Sequence, residues 1–152
     1  MKKFNSVEEI LDFAIAREEE ANEFYTELAK RMERPEMRKI FEDFAKEERG
    51  HKAKLEAVKK GEFTISSDEE DVPSLNIADY VVGVEPKPDM SYAEALIVAM
   101  KKEKAAYRLY LDLAAISEAE ELTDMFLSLA NEEAKHKLRF EIEYDDVVLK
   151  ED

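Results

Sequence analysis

The sequence contains no cysteine and no tryptophan among its 152 residues, and it has only three glycines and four prolines. Without cysteine, the chain cannot form disulfides, thiolate metal sites or iron–sulfur clusters, and it has no thiol nucleophile. So few glycines and prolines exclude a glycine-rich phosphate loop, a disordered chain and the many turns of a β-sandwich. The length fits one domain, which we expect to span residues 1–152.

Positive charge is also scarce, with 23 Lys and Arg against 38 Asp and Glu and a net charge of −15. This balance argues against binding to nucleic acid or to anionic membranes, because both carry phosphates that attract cations. No run of about 18 apolar residues could span a membrane, and no apolar signal core follows the first three residues. We therefore expect a soluble cytoplasmic protein whose acidity suits small cations.

Capping signals mark where helices begin and end along the sequence. Capping boxes begin at Ser6, Ser91 and Ser117, while Pro35 suits the first turn of a helix that stops before Gly61. These signals predict four helices, at about residues 6–33, at 35–60, from 91, and from 117 to beyond 144.

A long connection at about residues 61–90 separates two helical hairpins, at about 6–60 and 91–147. It contains three of the four prolines, an acidic run and an apolar stretch from Leu75 to Val84. Such a length lets the second and third helices run parallel, which predicts an all-α, ferritin-like four-helix bundle. The connection is either a flexible linker or, as its apolar residues indicate, a segment that packs on the bundle.

The two hairpins are related by an internal repeat. Residues 14–56 match residues 99–141 at 15 positions when the chain is shifted by 85, and no gap is needed. Shared helical composition would produce about a third of these matches. The repeat predicts a duplicated hairpin with approximate two-fold symmetry.

Each helix has one apolar seam, the face defined by 4-3-4-3 spacing, and each seam carries charge at mid-helix. Burying an ionised carboxylate without a partner costs several kcal/mol, so four in one layer would approach a domain's whole stability of about 5–15 kcal/mol. No Lys or Arg falls on the seams at this level, whereas two divalent cations would balance four carboxylates. The candidate metal ligands are Glu18, Glu48, His51, Glu103, Glu133 and His136.

The register of the second and fourth helices has an alternative. Glu47 and Glu132 also lie near the seam, four residues before the two histidines. We favour Glu48 and Glu133 because these keep the heptad. Oxygen-rich ligation with one imidazole per metal suits iron or manganese better than a structural zinc.

Two tyrosines share the seams with these groups. Tyr25 and Tyr110 lie two turns after Glu18 and Glu103. Their hydroxyls would either hydrogen-bond a ligating carboxylate across the bundle and so support the chemistry, or simply need a polar partner as large core residues do.

These residues resemble the ferritin-like di-iron carboxylate superfamily, and its rubrerythrin branch in particular. The resemblance covers about residues 6–145 and rests on Glu18-x-x-Ala21-x-x-x-Tyr25 with Glu48-x-x-His51 and on their repeat 85 residues later. It implies two iron ions as cofactors, with manganese or another divalent metal as an alternative, and redox chemistry of peroxide or dioxygen at the pair. The four glutamates would then be catalytic as metal ligands.

The chain departs from the rubrerythrin pattern in two ways. Rubrerythrins usually carry a rubredoxin-like domain with four cysteines, so this chain would need an external electron-donor protein. They also often have a second glutamate three residues after the third-helix ligand, where this chain has Ala106. The site is therefore more symmetric and closer to ferritin and bacterioferritin centres.

Three functions compete. The leading hypothesis is a di-iron oxidoreductase that removes peroxide or dioxygen. The alternatives are a ferroxidase that handles or stores iron, and a non-enzymatic interaction module in which metals hold the bundle together. We expect a homo-oligomer, with a dimer as the leading expectation, and neither nucleic acid nor membrane as a partner.

Overall fold

The protein is described by a computed structural model that covers residues 7–61, 90–117 and 119–150. Within these residues the chain forms helices and no strand, which confirms the predicted all-α four-helix bundle. Most of the predicted 61–90 connection lies outside the described residues, as does the Ser6 capping box. The helices are α1 (Val7–Lys30), α2 (Pro35–Lys59), α3 (Tyr92–Ile116) and α4 (Glu120–Lys150).

The helices pair as two hairpins, with α1 packed along α2 and α3 packed along α4. One apolar cluster joins the starts of α1 and α4 to the ends of α2 and α3, around Ile10, Leu55, Leu113 and Phe126. A second cluster joins the opposite ends of the four helices, around Tyr25 and Phe41. Therefore α2 and α3 run parallel, as the length of the connection predicts.

Local signals account for several helix ends. Ser91 is the N-cap of α3, and its hydroxyl accepts a hydrogen bond from the Glu94 backbone N–H. Pro35 occupies the first turn of α2. After α2, Gly61 adopts a φ of 87°, a left-handed conformation that glycine reaches without steric cost.

Two predicted boundaries were wrong by about three residues. α1 ends at Lys30 instead of about residue 33, because the N–H groups of Arg31 and Met32 bond to carbonyl oxygens three residues back, those of Leu28 and Ala29, instead of four. Arg34, which precedes a proline, is extended, with φ −79° and ψ 123°. The predicted capping box at Ser117 does not begin α4, which starts at Glu120. Ser117 instead ends α3, and its hydroxyl donates a hydrogen bond to the Leu113 carbonyl oxygen at 2.7 Å.

One buried carboxylate lies outside the predicted site. Glu143, near the end of α4, is 4% exposed. It accepts a hydrogen bond from the Tyr92 hydroxyl at 3.1 Å and pairs with the Arg34 guanidinium at 3.0 Å. These contacts connect the starts of α2 and α3 to the end of α4, and no sequence pattern pointed to them.

Among the described residues, no helix combines the length and the apolar character needed to cross a membrane.

Candidate metal centre

The six ionisable side chains that the seams predict lie together in one layer between the two apolar clusters. All six are 1–3% exposed. Their positions at the middle of the four helices follow from the 4-3-4-3 spacing, which turns each of them toward the bundle axis. The layer consists of Glu18 from α1, Glu48 and His51 from α2, Glu103 from α3, and Glu133 and His136 from α4.

The layer divides into two overlapping groups of four residues. Within each group, the four candidate ligand atoms lie within 4.8 Å of one another. Glu48 and Glu133 belong to both groups, so each of these carboxylates could bridge two ions. The first group is completed by Glu18 and His51, and the second by Glu103 and His136.

Most side-chain atoms that face the centre of this layer lack hydrogen-bond partners. These buried atoms without a partner are the Nδ1 atoms of both histidines and at least one carboxylate oxygen of each of the four glutamates. The closest approach, 2.6 Å between His51 Nδ1 and Glu133 Oε1, lacks hydrogen-bond geometry. Buried polar atoms without partners are costly, and lone pairs converging from oxygen and imidazole nitrogen are the donor set of iron and manganese. The residues therefore fit a pair of such ions.

The outer nitrogens of both histidines are occupied by carboxylates from the opposite hairpin. His51 Nε2 contacts Glu132 Oε2, and His136 Nε2 contacts Glu47 Oε2. If each Nε2–H donates to its carboxylate, each Nδ1 presents a lone pair to the centre, as in the carboxylate–histidine–metal arrangement of many metal sites.

The glutamates of the two registers left open by the sequence lie in different places. Glu47 and Glu132 belong to neither group of candidate ligands, and their side chains are 52% and 39% exposed. The sequence offered them only as alternative ligands in place of Glu48 and Glu133, and not as hydrogen-bond partners of the histidines. The signal was present, because a glutamate pair precedes each histidine at the same spacing, but only the fold shows that each histidine receives its outer carboxylate from the other hairpin.

The two seam tyrosines do reach across the bundle. The Tyr25 hydroxyl donates to Glu103 Oε1, and the Tyr110 hydroxyl donates to Glu18 Oε1. Burial, and next the charge of Glu103 or Glu18 respectively, raises the pKa of each tyrosine well above its ordinary value. Both phenols therefore stay protonated, and each fixes one oxygen of a candidate ligand.

Crowding changes the protonation of the carboxylates. Burial, followed by repulsion from the neighbouring carboxylates, raises the pKa of Glu48 and Glu133 well above the usual range. Burial also acts to raise the pKa of Glu103, but contacts with Glu133, His136 and Tyr25 outweigh it and lower that pKa. Without metal, the two shared glutamates therefore bind protons more readily than ordinary carboxylates, and metal ions would compete with those protons.

The histidines respond in the opposite sense to burial. Burial alone would lower the pKa of each imidazole, but the surrounding carboxylates outweigh it. Glu103 and Glu48 raise the pKa of His136 to about 11, and Glu18 and Glu132 raise the pKa of His51. The metal-free site thus favours positive charge on both buried imidazoles.

A pocket between α1 and α3 leads to the layer. Its inner wall includes all four glutamates of the layer, and Ala21 and Ala106 leave space above them. Arg17 and Lys102 are the basic residues among those lining the pocket, and they occupy equivalent positions in the two repeats. Arg17 stacks over the Phe13 ring at 4.9 Å and pairs with Glu20 at 2.7 Å.

This architecture defines a class: a ferritin-like four-helix bundle with a buried Glu/His cluster compatible with a di-iron site. Residues 9–144 match the rubrerythrin family. The chain belongs to that family, which confirms the resemblance.

Two solved structures share the fold. One is a Thermotoga maritima protein assigned to the ferritin-like diiron-carboxylate proteins, with 23% identity and a TM-score of 0.77, covering 97% of this chain and 99% of that one. The other is a hypothetical protein from Pyrococcus furiosus, with 27% identity and a TM-score of 0.75, covering 94% of this chain and 90% of that one. No curated protein gives a match.

Proposed function

We propose that the protein holds two iron ions in this layer and reduces hydrogen peroxide with electrons from an external donor. Support for the metal pair comes from the two overlapping groups of unpartnered ligand atoms. Four carboxylates balance two divalent ions, and two neutral imidazoles complete the set without adding charge. Manganese satisfies the same donor atoms, so the metal must be identified by measurement.

When bound, the iron pair supplies two electrons, one from each ion, to a peroxide. Each peroxide then consumes two electrons and two protons and yields two waters. The chain's own residues hold the ions and exclude bulk water, since the layer lies between two apolar clusters. Tyr25 and Tyr110 orient Glu103 and Glu18, while Glu47 and Glu132 keep the Nδ1 lone pairs of the histidines directed inward.

The observation that carries the choice of peroxide over ferrous ion is the charge of the pocket between α1 and α3. Arg17 and Lys102 flank the route to the four glutamates. Glu20 partly neutralises Arg17, and the positive charge that remains on this path disfavours incoming Fe²⁺ but not an uncharged molecule such as H₂O₂. A ferroxidase whose substrate arrived by this route would be expected to have carboxylates in place of Arg17 and Lys102.

A stopped-flow experiment tests the proposal. Protein reconstituted with iron, reduced anaerobically and mixed with peroxide should be oxidised faster than the same protein mixed with oxygen. The ferroxidase alternative would be supported if the protein oxidised added Fe²⁺ faster than it reduced peroxide. Elution as a very large cage-like oligomer would support it as well. Redox-silent bound metal would support the non-enzymatic alternative. Dioxygen as the oxidant, the cytoplasmic location and the expected dimer stay predictions.

A further inference from the structure

The outer groove between α1 and α2 concentrates basic residues on a chain that is otherwise acidic. It is lined by eight residues, of which four are basic and one, Glu42, is acidic. Lys46 and Arg49 make no ion pair within the described part of the chain. The four basic residues are Lys30, Arg38, Lys46 and Arg49.

The repeat shows that this charge belongs to one hairpin alone. At the equivalent positions of the second hairpin, 85 residues later, each of the four cations is replaced by a neutral residue, and Glu42 is replaced by a leucine. The two alanines at the bottom of the groove, Ala29 and Ala45, are alanine in both hairpins. Packing between the paired helices therefore does not require the cations. The neutral counterparts are Ala115, Thr123, Asn131 and Ala134.

Packed side chains connect the bottom of the groove to the candidate metal centre. Ala29 and Ala45 are buried in the same apolar cluster as Tyr25. The Tyr25 hydroxyl in turn donates to Glu103, a candidate ligand. The Asn22 side-chain amide donates to the Ala45 carbonyl oxygen at 2.6 Å, which ties α1 to α2 at this level. A protein seated in the groove would thus lie over the apolar cluster that contains Tyr25, the partner of a candidate ligand.

We propose that this groove is the docking site of the electron donor and that the donor is a small acidic redox protein. The inference rests on the proposed function, which requires an external reductant. The net charge of −15 does not oppose such docking at physiological salt, because charges more than about 8 Å away are largely screened. The local sign of the groove then governs the encounter, and a complementary patch accelerates association.

The redox step needs two donor molecules for each peroxide. Two reduced one-electron carriers are oxidised in turn, and two ferric ions are reduced to ferrous. No atom is transferred between the proteins, and the two protons consumed per peroxide come from solvent.

The test uses a reduced acidic [2Fe–2S] ferredoxin as the probe and the iron-loaded protein in its oxidised form. The rate constant of interprotein electron transfer should fall as salt rises. Reversing two groove charges, Lys46→Glu with Arg49→Glu, should lower the low-salt rate constant by about tenfold or more and abolish its fall with salt. The milder pair Lys46→Gln with Arg49→Gln should give an intermediate rate, which guards against a folding defect in the charge reversal.

A matched control changes the net charge equally at exposed positions outside the groove. Lys54→Glu with Lys135→Glu should leave the rate within about twofold of the wild type, since screening limits the reach of distant charges. Equal losses in the groove variant and in this control would overturn the proposal, because total charge would then explain both. A groove variant that keeps the wild-type rate and salt dependence would overturn it as well.

Two further measurements separate this proposal from the proposed function. Binding of oxidised ferredoxin, measured by calorimetry, should weaken in the groove variant whether or not the centre reacts with peroxide. Peroxide oxidation of dithionite-reduced wild-type protein tests the centre without any donor protein. Salt-sensitive self-association or binding of an oligonucleotide, lost in the groove variant in place of ferredoxin binding, would assign the groove to another partner and overturn the proposal.

Discussion

Two single substitutions, Glu48→Gln and Glu47→Gln, should distinguish a candidate ligand shared by both groups from a carboxylate that only holds the outer nitrogen of a histidine. Glu48 belongs to both groups of candidate ligands, so the neutral amide removes charge beside both ions. We expect Glu48→Gln to weaken metal binding by more than about 100-fold, or about 2.7 kcal/mol. Glu47→Gln removes only the carboxylate at His136 Nε2 and should cost about 10–100-fold.

The stability of the metal-free protein gives a second, independent readout of the same pair. Burial and its neighbours raise the pKa of Glu48, so the metal-free protein, when it folds at neutral pH, must either bury this charge or take up a proton, and both lower its stability. Glu48→Gln should therefore raise the melting temperature of the metal-free protein while it weakens metal binding. A residue that served only packing would not show these opposite effects.

The assay is a cobalt(II) titration against a competing chelator, followed by absorption, with thermal melts of the metal-free proteins in parallel. Glu132→Gln is the matched control for Glu47→Gln, because it removes the equivalent carboxylate from His51 in the other half of the site. Similar losses are expected from the two. If Glu47→Gln abolished binding while Glu48→Gln bound metal normally, the assignment of ligand and outer partner would be refuted.

Three further outcomes are expected. Removing metal should lower the melting temperature more at pH 8 than at pH 5. In the metal-free protein, the pKa of His136 is raised to about 11 from 6.5, so its protonation contributes stability that is full below pH 6.5 and is lost as pH rises toward 11, whereas metal binding strengthens with pH. Equal melting temperatures at pH 8 with and without metal would contradict this. Tyr25→Phe and Tyr110→Phe should each weaken metal binding by about 10–100-fold and to a similar extent, measured by the same cobalt titration; a loss from one alone would mean that the halves are not equivalent. Glu143→Ala should lower the free energy of unfolding in urea by about 1–3 kcal/mol with metal binding kept, and an unchanged midpoint would show that its buried contacts contribute nothing.

The sequence predicted the fold and the members of the central layer because both depend on periodicity. A helical seam must turn its residues toward the axis, so mid-seam charges must meet wherever four such helices pack. Gly61 and Ser91 marked helix ends through local backbone chemistry. Ser117 misled because the same hydroxyl can serve the end of one helix as well as the start of the next, and only the geometry of the short turn decides between them.

Contacts between hairpins could not be predicted in the same way. Periodicity places Glu47 beside the seam but does not say which histidine it meets, and the structure pairs it with His136 across the bundle. The same holds for Glu143, whose partners come from the starts of two other helices. Pairings of this kind depend on the rotation and offset of packed helices, which are set by tertiary packing.

The repeat separates what the metal centre requires from what it leaves free. The candidate ligands, the tyrosines and the outer carboxylates recur in both hairpins because each half of the layer depends on the other. Glu47 contacts the histidine of the second hairpin, and Glu132 contacts that of the first. A change on one side would therefore leave a buried polar group without its partner on the other. The outer groove between α1 and α2 is under no such constraint, since none of its lining residues belongs to the layer. One groove is accordingly free to carry four cations while its counterpart carries none. A site built from two equivalent halves can in this way sit in a molecule whose two hairpins differ in the charge of their outer residues.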